Sequence, residues 1–196
     1  MLSLKNSLVV LKKTNALLEG HFILSSGLHS TKYVQCAKLL SYPNKSKKFC
    51  KSLSQKIKKE FKNIDLILSP AIGAIVVGYE MGRLLNKETI FCERVNGNFK
   101  LRRGFLIKKN SRVLVVEDVI TTGKSSLECS KLIKKAKAKL IGFACLIDRS
   151  NNSQLKIKSK KIISQIKIDV PTYKKNNLPK LLKKIPISKP GSRFLK

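Results

Sequence analysis

The chain has 196 residues, and 42 Lys and Arg stand against 11 Asp and Glu, which gives a net charge of +31. This length matches one domain that can bury a core and a cleft. Because no apolar run approaches the roughly 18 residues of a membrane span and residues 1–10 lack the layout of a signal peptide, we expect a cytoplasmic protein.

Apolar periodicity predicts alternating helices and strands. The first part is predicted to form a helix over 7–18, an extended segment over 22–34, and a helix after Pro43 marked by Phe49, Leu53, Ile57 and Phe61. A βαβ unit follows, with strands over 65–68 and 89–92, a helix over 74–85, and an edge segment over 105–107. The remainder is predicted to form strands over 113–116, 139–147 and 161–168 and a helix over 125–135. This order predicts an α/β fold with a mostly parallel central sheet flanked by helices, in which ligands bind beyond the carboxyl ends of the strands.

A sugar-phosphate site is indicated where the strand over 113–116 ends. Residues 113–126 read Val-Leu-Val-Val-Glu-Asp-Val-Ile-Thr-Thr-Gly-Lys-Ser-Ser. We expect the backbone N–H groups of 121–125 to converge on one anion, because Gly123 permits close approach and a helix start favours negative charge. Glu117 and Asp118 are placed to accept hydrogen bonds from vicinal hydroxyls, so the pattern suits a ribose 5-phosphate.

Other nucleotide-binding patterns fit this segment less well. It lacks the two-glycine spacing of an ATPase loop, and no dinucleotide fingerprint is present. A plain buried strand with an ordinary turn would leave two adjacent carboxylates unexplained. The segment resembles the signature of the type I phosphoribosyltransferases. That resemblance implies that the acidic pair binds the ribose of phosphoribosyl diphosphate (PRPP) and that the following residues hold its 5-phosphate. The implied PRPP-binding residues are Glu117, Asp118, Val119, Ile120, Thr121, Thr122, Gly123, Lys124 and Ser125.

Four further segments resemble one branch of that family, the orotate phosphoribosyltransferases. Residues 18–33 match their Gly-x-Phe-x-Leu-x-Ser-Gly opening, residues 69–73 their diphosphate loop, residues 93–105 their short mobile lid, and residues 148–150 their base-binding Asp-Arg pair. The resemblance implies a small N-terminal hood over about residues 1–40 on a single domain of residues 1–196. It also implies orotate contacts from Thr121, Arg149, Phe22 and Ser26.

The resemblance also implies how the diphosphate is held. Ala71, Ile72 and Gly73 would approach it, with Mg²⁺ bound through the substrate and no certain protein ligand for the metal. Catalytic roles fall to Asp118 and to the lid cations Arg94, Lys100, Arg102 and Arg103, of which Arg102 and Arg103 are favoured because Leu-Arg-Arg-Gly resembles the short-lid subgroup. A lid that serves the neighbouring subunit implies a homodimer. Many relatives carry a histidine in the lid, which this sequence lacks, and a solvated basic loop remains an alternative.

The implied reaction is transfer of ribose 5-phosphate from PRPP to N1 of orotate, giving orotidine 5′-monophosphate and diphosphate in pyrimidine biosynthesis. Two alternatives stay open. A purine or other base phosphoribosyltransferase would share the central motif, and a PRPP-sensing regulator that binds nucleic acid would suit the charge. We predict no dedicated nucleic-acid partner, because the excess is diffuse lysine with few aromatics. His21 and His29 are interpreted as structural or lid-facing, and five scattered cysteines predict neither a zinc site nor disulfides.

Overall fold

A computed structural model describes residues 1–24, 27–150, 155–157 and 160–188. The helices are α1 Leu4–Lys13, α2 Cys36–Leu40, α3 Pro43–Glu60, α4 Ile75–Leu85, α5 Lys124–Lys135 and α6 Lys180–Lys183, with a 3₁₀ turn over Lys175–Asn177. The strands are β1 Leu17–Ile23, β2 His29–Val34, β3 Leu66–Pro70, β4 Glu88–Val95, β5 Asn98–Leu101, β6 Arg112–Ile120, β7 Lys139–Asp148, β8 Ile162–Lys167, β9 Thr172–Tyr173 and β10 Ile187–Ser188.

The larger sheet has six strands in the order β5-β4-β3-β6-β7-β8. All neighbours run parallel except β5, which pairs antiparallel with β4. The inner strands have apolar centres, and residues 113–116 of β6 are completely buried between two apolar clusters, one on each face. The predicted mostly parallel sheet flanked by helices is therefore confirmed, and its carboxyl edge gathers the loops that follow β3, β6 and β7.

Two predicted elements are wrong in extent or place. The helix predicted over 7–18 ends at Lys13, because Asn15 takes a left-handed conformation (φ 52°) and the chain turns into β1. Residues 105–107 form no strand. The edge strand is β5, which returns antiparallel through Asn96 and Gly97, both with positive φ. An Asn-Gly pair between strands is a strong hairpin signal, so this element was readable from the sequence.

A second sheet of four strands, in the order β10-β1-β2-β9, joins the two ends of the chain. Within it, the imidazole Nε2 of His21 lies 2.6 Å from Nδ1 of His29, and both side chains are buried. The Nδ1 atom of His21 also lies 3.2 Å from the carbonyl oxygen of Ile185. The two histidines therefore tie the amino-terminal hairpin to the carboxyl-terminal segment, which agrees with a structural role.

Close packing of α4 fixes the position of the loop that precedes it. A Cβ added at Gly78 would lie 2.1 Å from Oγ of Ser69, and one at Gly82 would lie 2.0 Å from Oγ1 of Thr89. Only glycine allows α4 to approach β3 and β4 this closely, so the two glycines inside the helix serve packing. None of the helices in the described residues is long and apolar enough to cross a membrane.

Candidate active site

Glu117 lies near the end of β6, where its carboxylate is enclosed by protein. The side chain is 7% exposed and accepts a hydrogen bond of 2.5 Å from the hydroxyl of Ser126 in α5. Burial raises the pKa of Glu117 to about 7, partly offset by the bond from Ser126. The group is thus poised between its neutral and charged forms near neutral pH.

Asp118 connects two loops that are distant in sequence. A Cβ built on Gly73 would lie 2.9 Å from Oδ2 of Asp118, so this carboxylate rests against the loop that follows β3. That loop is anchored to β4 by a hydrogen bond of 2.8 Å from the N–H of Ala71 to the carbonyl of Cys92, and its Ala71–Ile72 peptide bond is cis. Burial also raises the pKa of Asp118. The structure therefore brings together the two segments predicted to bind ribose and diphosphate.

The predicted phosphate loop is shorter than the sequence suggested. Val119 and Ile120 belong to β6, where they pair with β7, and the side chain of Ile120 is buried. The loop proper runs over 121–123, and α5 begins at Lys124 after Gly123, whose φ is 69°. The first N–H groups of this twelve-residue helix lack partners within the helix and face the loop. This geometry suits an anion such as a sugar phosphate.

A neighbouring segment covers the phosphate loop from one side. A Cβ on Gly123 would lie 2.7 Å from Cγ1 of Ile157, and the N–H of Lys156 donates to the carbonyl of Thr122 at 2.9 Å. Residues 155–157 thereby fix the backbone of the loop. This contact was missed in the sequence, where no pattern marks it.

Arg149 follows β7 with its guanidinium largely buried. Its backbone N–H bonds the carbonyl of Ile120 at 2.8 Å, while its side-chain Nε is buried and has no hydrogen-bond partner in the described part of the chain. Burial lowers the pKa of Arg149, and the nearby phenol of Tyr33 opposes that shift. The ring of Tyr33 lies 5.8 Å, centroid to centroid, from that of Phe22. An aromatic pair and a buried cation thus adjoin one another; the predicted contact Ser26 lies outside the described residues.

The lid hairpin, residues 93–104, comprises the end of β4, the Asn-Gly turn, β5 and the turn after it. Its cations divide between two faces. Arg94 pairs across the strands with Phe99, over whose ring its guanidinium lies at 4.1 Å, and it contacts Glu128 of α5 at 2.8 Å. Lys100 pairs with Glu93 on the opposite face.

Arg102 and Arg103 lie on the Glu93 face as well. The carboxylate of Glu93 accepts a hydrogen bond from Nε of Arg103 at 2.6 Å and lies 3.8 Å from Nη1 of Arg102. Of the four predicted lid cations, three therefore share one face with Glu93, and Arg94 is held apart against α5. The same division was hidden in the sequence, where all four look alike.

The described residues contain no group of three or more His, Cys, Asp or Glu side chains that could hold a metal ion by themselves. A carboxylate against the diphosphate loop, as Asp118 provides, is the kind of donor that Mg²⁺ uses together with substrate oxygens. The arrangement of two acids, an open helix start and a basic hairpin at one sheet edge suits a phosphorylated sugar.

Comparison with known proteins agrees with that class. Residues 40–182 match the family model described as the phosphoribosyl transferase domain. A protein of Parvibaculum lavamentivorans named orotate phosphoribosyltransferase is 47% identical over 185 residues, which are 94% of this chain and 94% of that one. The chain belongs to the phosphoribosyltransferase family and, within it, to the orotate phosphoribosyltransferases, as its motifs predicted.

Solved structures share the fold. The orotate phosphoribosyltransferase of Aeropyrum pernix superposes with a TM-score of 0.68 at 23% identity, covering 82% of this chain and 92% of that one. The adenine phosphoribosyltransferase of Thermoanaerobacter pseudethanolicus gives a TM-score of 0.61 at 16% identity, with 70% and 88% covered. Since enzymes for different bases share this fold, the choice of base depends on the site rather than on the architecture.

Proposed function

We propose that the protein is an orotate phosphoribosyltransferase that transfers the ribose 5-phosphate of PRPP to N1 of orotate in pyrimidine biosynthesis. In this reaction the bond from C1 of the sugar to diphosphate breaks with its electron pair as the C1–N1 bond forms, and the N1 proton is released to solvent. The products are orotidine 5′-monophosphate and diphosphate. The observation that carries the choice of base is Arg149, a largely buried guanidinium whose Nε has no partner in the described chain. A base that carries a carboxylate, as orotate does, supplies a hydrogen-bond partner for this guanidinium.

The proposed roles follow the geometry of the sheet edge. Glu117 and Asp118 accept hydrogen bonds from the ribose hydroxyls, and the N–H groups and hydroxyls of residues 121–125 hold the 5-phosphate. The Ala71, Ile72 and Gly73 loop lies against Asp118, so ribose and diphosphate would bind next to each other. Fixing the sugar in this way brings its C1 atom to the nucleophile without a covalent intermediate.

Lid cations complete the proposed site. Arg102, Arg103 and Lys100 stabilise the negative charge that grows on the departing diphosphate, and closure of the lid hairpin keeps water from the cationic sugar. Mg²⁺, when bound, neutralises part of the diphosphate charge. It would be held mainly by substrate oxygens, and Asp118 is a carboxylate that rests against the diphosphate loop. Arg94 serves in this proposal to dock the hairpin on α5 through Glu128.

The base would lie between Arg149, Thr121 and the hood. Phe22 and Tyr33 form an aromatic wall there, and burial raises the pKa of Tyr33, so its phenol stays neutral and able to donate. We propose that residues 1–196 form one phosphoribosyltransferase domain with this hood. The five cysteines are all buried free thiols, which suits the reducing cytoplasm in which we place the enzyme.

We further propose a homodimer in which each lid hairpin serves the neighbouring subunit. Support comes from Val76 and Tyr79, which lie three residues apart in the first half of α4 and are both exposed, and from exposed Ile72 in the loop before the helix. Such an apolar stripe is expected to be covered by a partner. Mixing equal amounts of an Arg102→Ala, Arg103→Ala variant and an Asp118→Asn variant tests lid sharing. If subunits exchange at random, about half of the dimers are mixed and each has one intact site, so the mixture would regain about a quarter of the native activity.

The reaction itself is tested by following orotate through its ultraviolet absorbance with purified protein, PRPP and Mg²⁺. Adenine, hypoxanthine and uracil serve as competing bases. Loss of orotate that requires PRPP and stops with a metal chelator is the expected result. Turnover of adenine or hypoxanthine instead would indicate a purine enzyme, and saturable PRPP binding without any turnover would indicate a regulator.

A further inference from the structure

Glu93 holds two lid arginines with a single carboxylate. Its Oε1 accepts from Nε of Arg103 at 2.6 Å, its Oε2 lies 3.4 Å from Nη2 of the same residue, and Nη1 of Arg102 is 3.8 Å from Oε2. The glutamate side chain is 19% exposed, whereas the arginine side chains are 60% and 62% exposed. The arginines are therefore open to a ligand, and the acid beneath them is largely covered.

This cluster lies beside the loop predicted to bind diphosphate. Cys92, the residue before Glu93, accepts the backbone N–H of Ala71 at 2.8 Å and stands opposite Pro70 in the sheet. The guanidinium of Arg103 also lies 5.7 Å from the ring of Phe91, two residues earlier on the same face of β4. The cluster is thus fixed at the point where β3 gives way to the Ala71–Gly73 loop.

A carboxylate and a diphosphate compete for the same guanidinium hydrogens. Both accept two parallel N–H bonds from arginine, and two guanidiniums around one carboxylate leave a surplus positive charge. We propose that Glu93 is a positioning residue that stands in for the diphosphate: it holds Arg102 and Arg103 at the base of the hairpin before substrate binds and yields them to the diphosphate in the neighbouring subunit when the lid closes. This role rests on the proposed function, because it requires diphosphate to reach the lid arginines.

This role of Glu93 predicts the direction in which its loss changes the affinity for diphosphate. Every binding event must first break the contacts between Glu93 and the arginines, which weakens the affinity for diphosphate and speeds its release. An ion pair whose arginines are open to solvent corresponds to about a two- to five-fold change in an equilibrium constant. Glu93→Gln is therefore expected to lower the Kd for diphosphate, and the KM for PRPP, by about two- to five-fold.

A purely structural role for Glu93 predicts the opposite change in the affinity for diphosphate. If Glu93 only stiffened the hairpin, its loss would leave the arginines less ordered, and diphosphate would bind more weakly. Glu93→Asp provides a second variant, because a side chain shorter by one methylene draws the carboxylate away from both guanidiniums while the charge is kept. It is expected to bind diphosphate more tightly than the native protein, as Glu93→Gln does.

The experiment is calorimetric titration of sodium diphosphate with Mg²⁺ into the full chain. Glu88→Gln is the matched control, since it removes the same charge from the exposed start of the same strand. Thermal melting confirms that each variant is folded. Tighter binding by both Glu93 variants, with the control unchanged, supports the proposal. Native or weaker binding by Glu93→Gln overturns it, and so does equal tightening in the control. If the native protein binds neither diphosphate nor PRPP, the proposed function itself fails.

Discussion

The hydroxyl of Ser126 donates to the buried carboxylate of Glu117 across the turn that joins β6 to α5, at 2.5 Å. This bond links the acid at the end of the strand to the first turn of the helix behind the phosphate loop. The backbone N–H of Ser126 also donates to this carboxylate, and burial still raises the pKa of the group to about 7. Ser126 therefore holds the Glu117 carboxylate in position, while burial of its charged form lowers the stability of the fold.

Replacing Glu117 by Gln should stabilise the protein in a pH-dependent way. The pKa of Glu117 is raised in the folded state, from an ordinary value of 4.5 to about 7. The folded protein thus binds more protons between these values, and its free energy of unfolding falls as the pH rises through the interval. Above pH 8 we expect Glu117→Gln to be more stable by roughly 1–3 kcal/mol, with the difference vanishing near pH 4.

Thermal melting at pH 4.5, 6 and 8 measures this effect. For a chain of this size, each kcal/mol corresponds to a shift of about 2–4 °C in Tm. Glu88→Gln serves as the control for loss of one charge and should show no such trend. A Tm difference for Glu117→Gln that is the same at every pH would contradict the raised pKa.

The double variant Arg102→Ala, Arg103→Ala should lose turnover while it still binds PRPP. These side chains act on charge that develops as diphosphate departs, and removing one such donor typically costs about 100- to 1,000-fold in kcat. Steady-state kinetics and equilibrium PRPP binding, measured on the same preparation, separate the two effects. Native turnover would remove both arginines from the catalytic set and leave Lys100 as the remaining cation of that face.

Replacing Arg149 by Met should separate stability from function. The guanidinium is largely buried and its Nε lacks a partner among the described residues, so an apolar side chain of similar length is expected to be neutral or stabilising. Loss of charged hydrogen bonds to the base should raise the KM for orotate by about 10- to 100-fold. The KM for PRPP should change little. A fall in Tm together with an unchanged KM for orotate would assign Arg149 to the fold instead.

Gly73→Ala should impair PRPP use through a single contact. The new Cβ would lie 2.9 Å from Oδ2 of Asp118 and 3.2 Å from its Cγ, so the loop or the carboxylate must move. Forcing a methyl group into a packed site costs about 1–3 kcal/mol, which corresponds to a fall of roughly 5- to 150-fold in kcat/KM for PRPP. Steady-state kinetics with varied PRPP, run on the variant and on the native protein, measure the change. Native constants would show that the loop accommodates the methyl group freely.

Sequence patterns could predict the candidate sugar-phosphate edge because the signal for it is local. Glu117, Asp118 and Gly123 fall within seven positions, next to an apolar run that can only be an inner strand. The separation of the lid arginines is different. Arg94 is held by Glu128 and Arg103 by Glu93, and such pairings depend on which face of a hairpin each residue occupies. That face follows from the hairpin turn at Asn96 and Gly97, which a resemblance to a mobile lid over residues 93–105 does not reveal.

Two strands of the four-stranded sheet, β9 and β10, were not predicted, for another reason. Strands β9 and β10 have two residues each, too few for any periodicity, and they gain stability only by pairing with β1 and β2. Strands this short carry almost no local signal. The amino-terminal hairpin was readable as extended chain, whereas its partners from the other end of the protein were not.

That joining of the chain ends sets an order for events at the ribosome. Strands β3 to β8 can assemble once residue 167 has emerged, but β1 lacks its neighbour β10 until residues 187–188 have been made. Contacts between such distant segments form late, because a long loop must close before they contribute. The newly made protein therefore completes the sheet edge that carries Glu117 and Asp118 first, and the sheet that joins its two ends last.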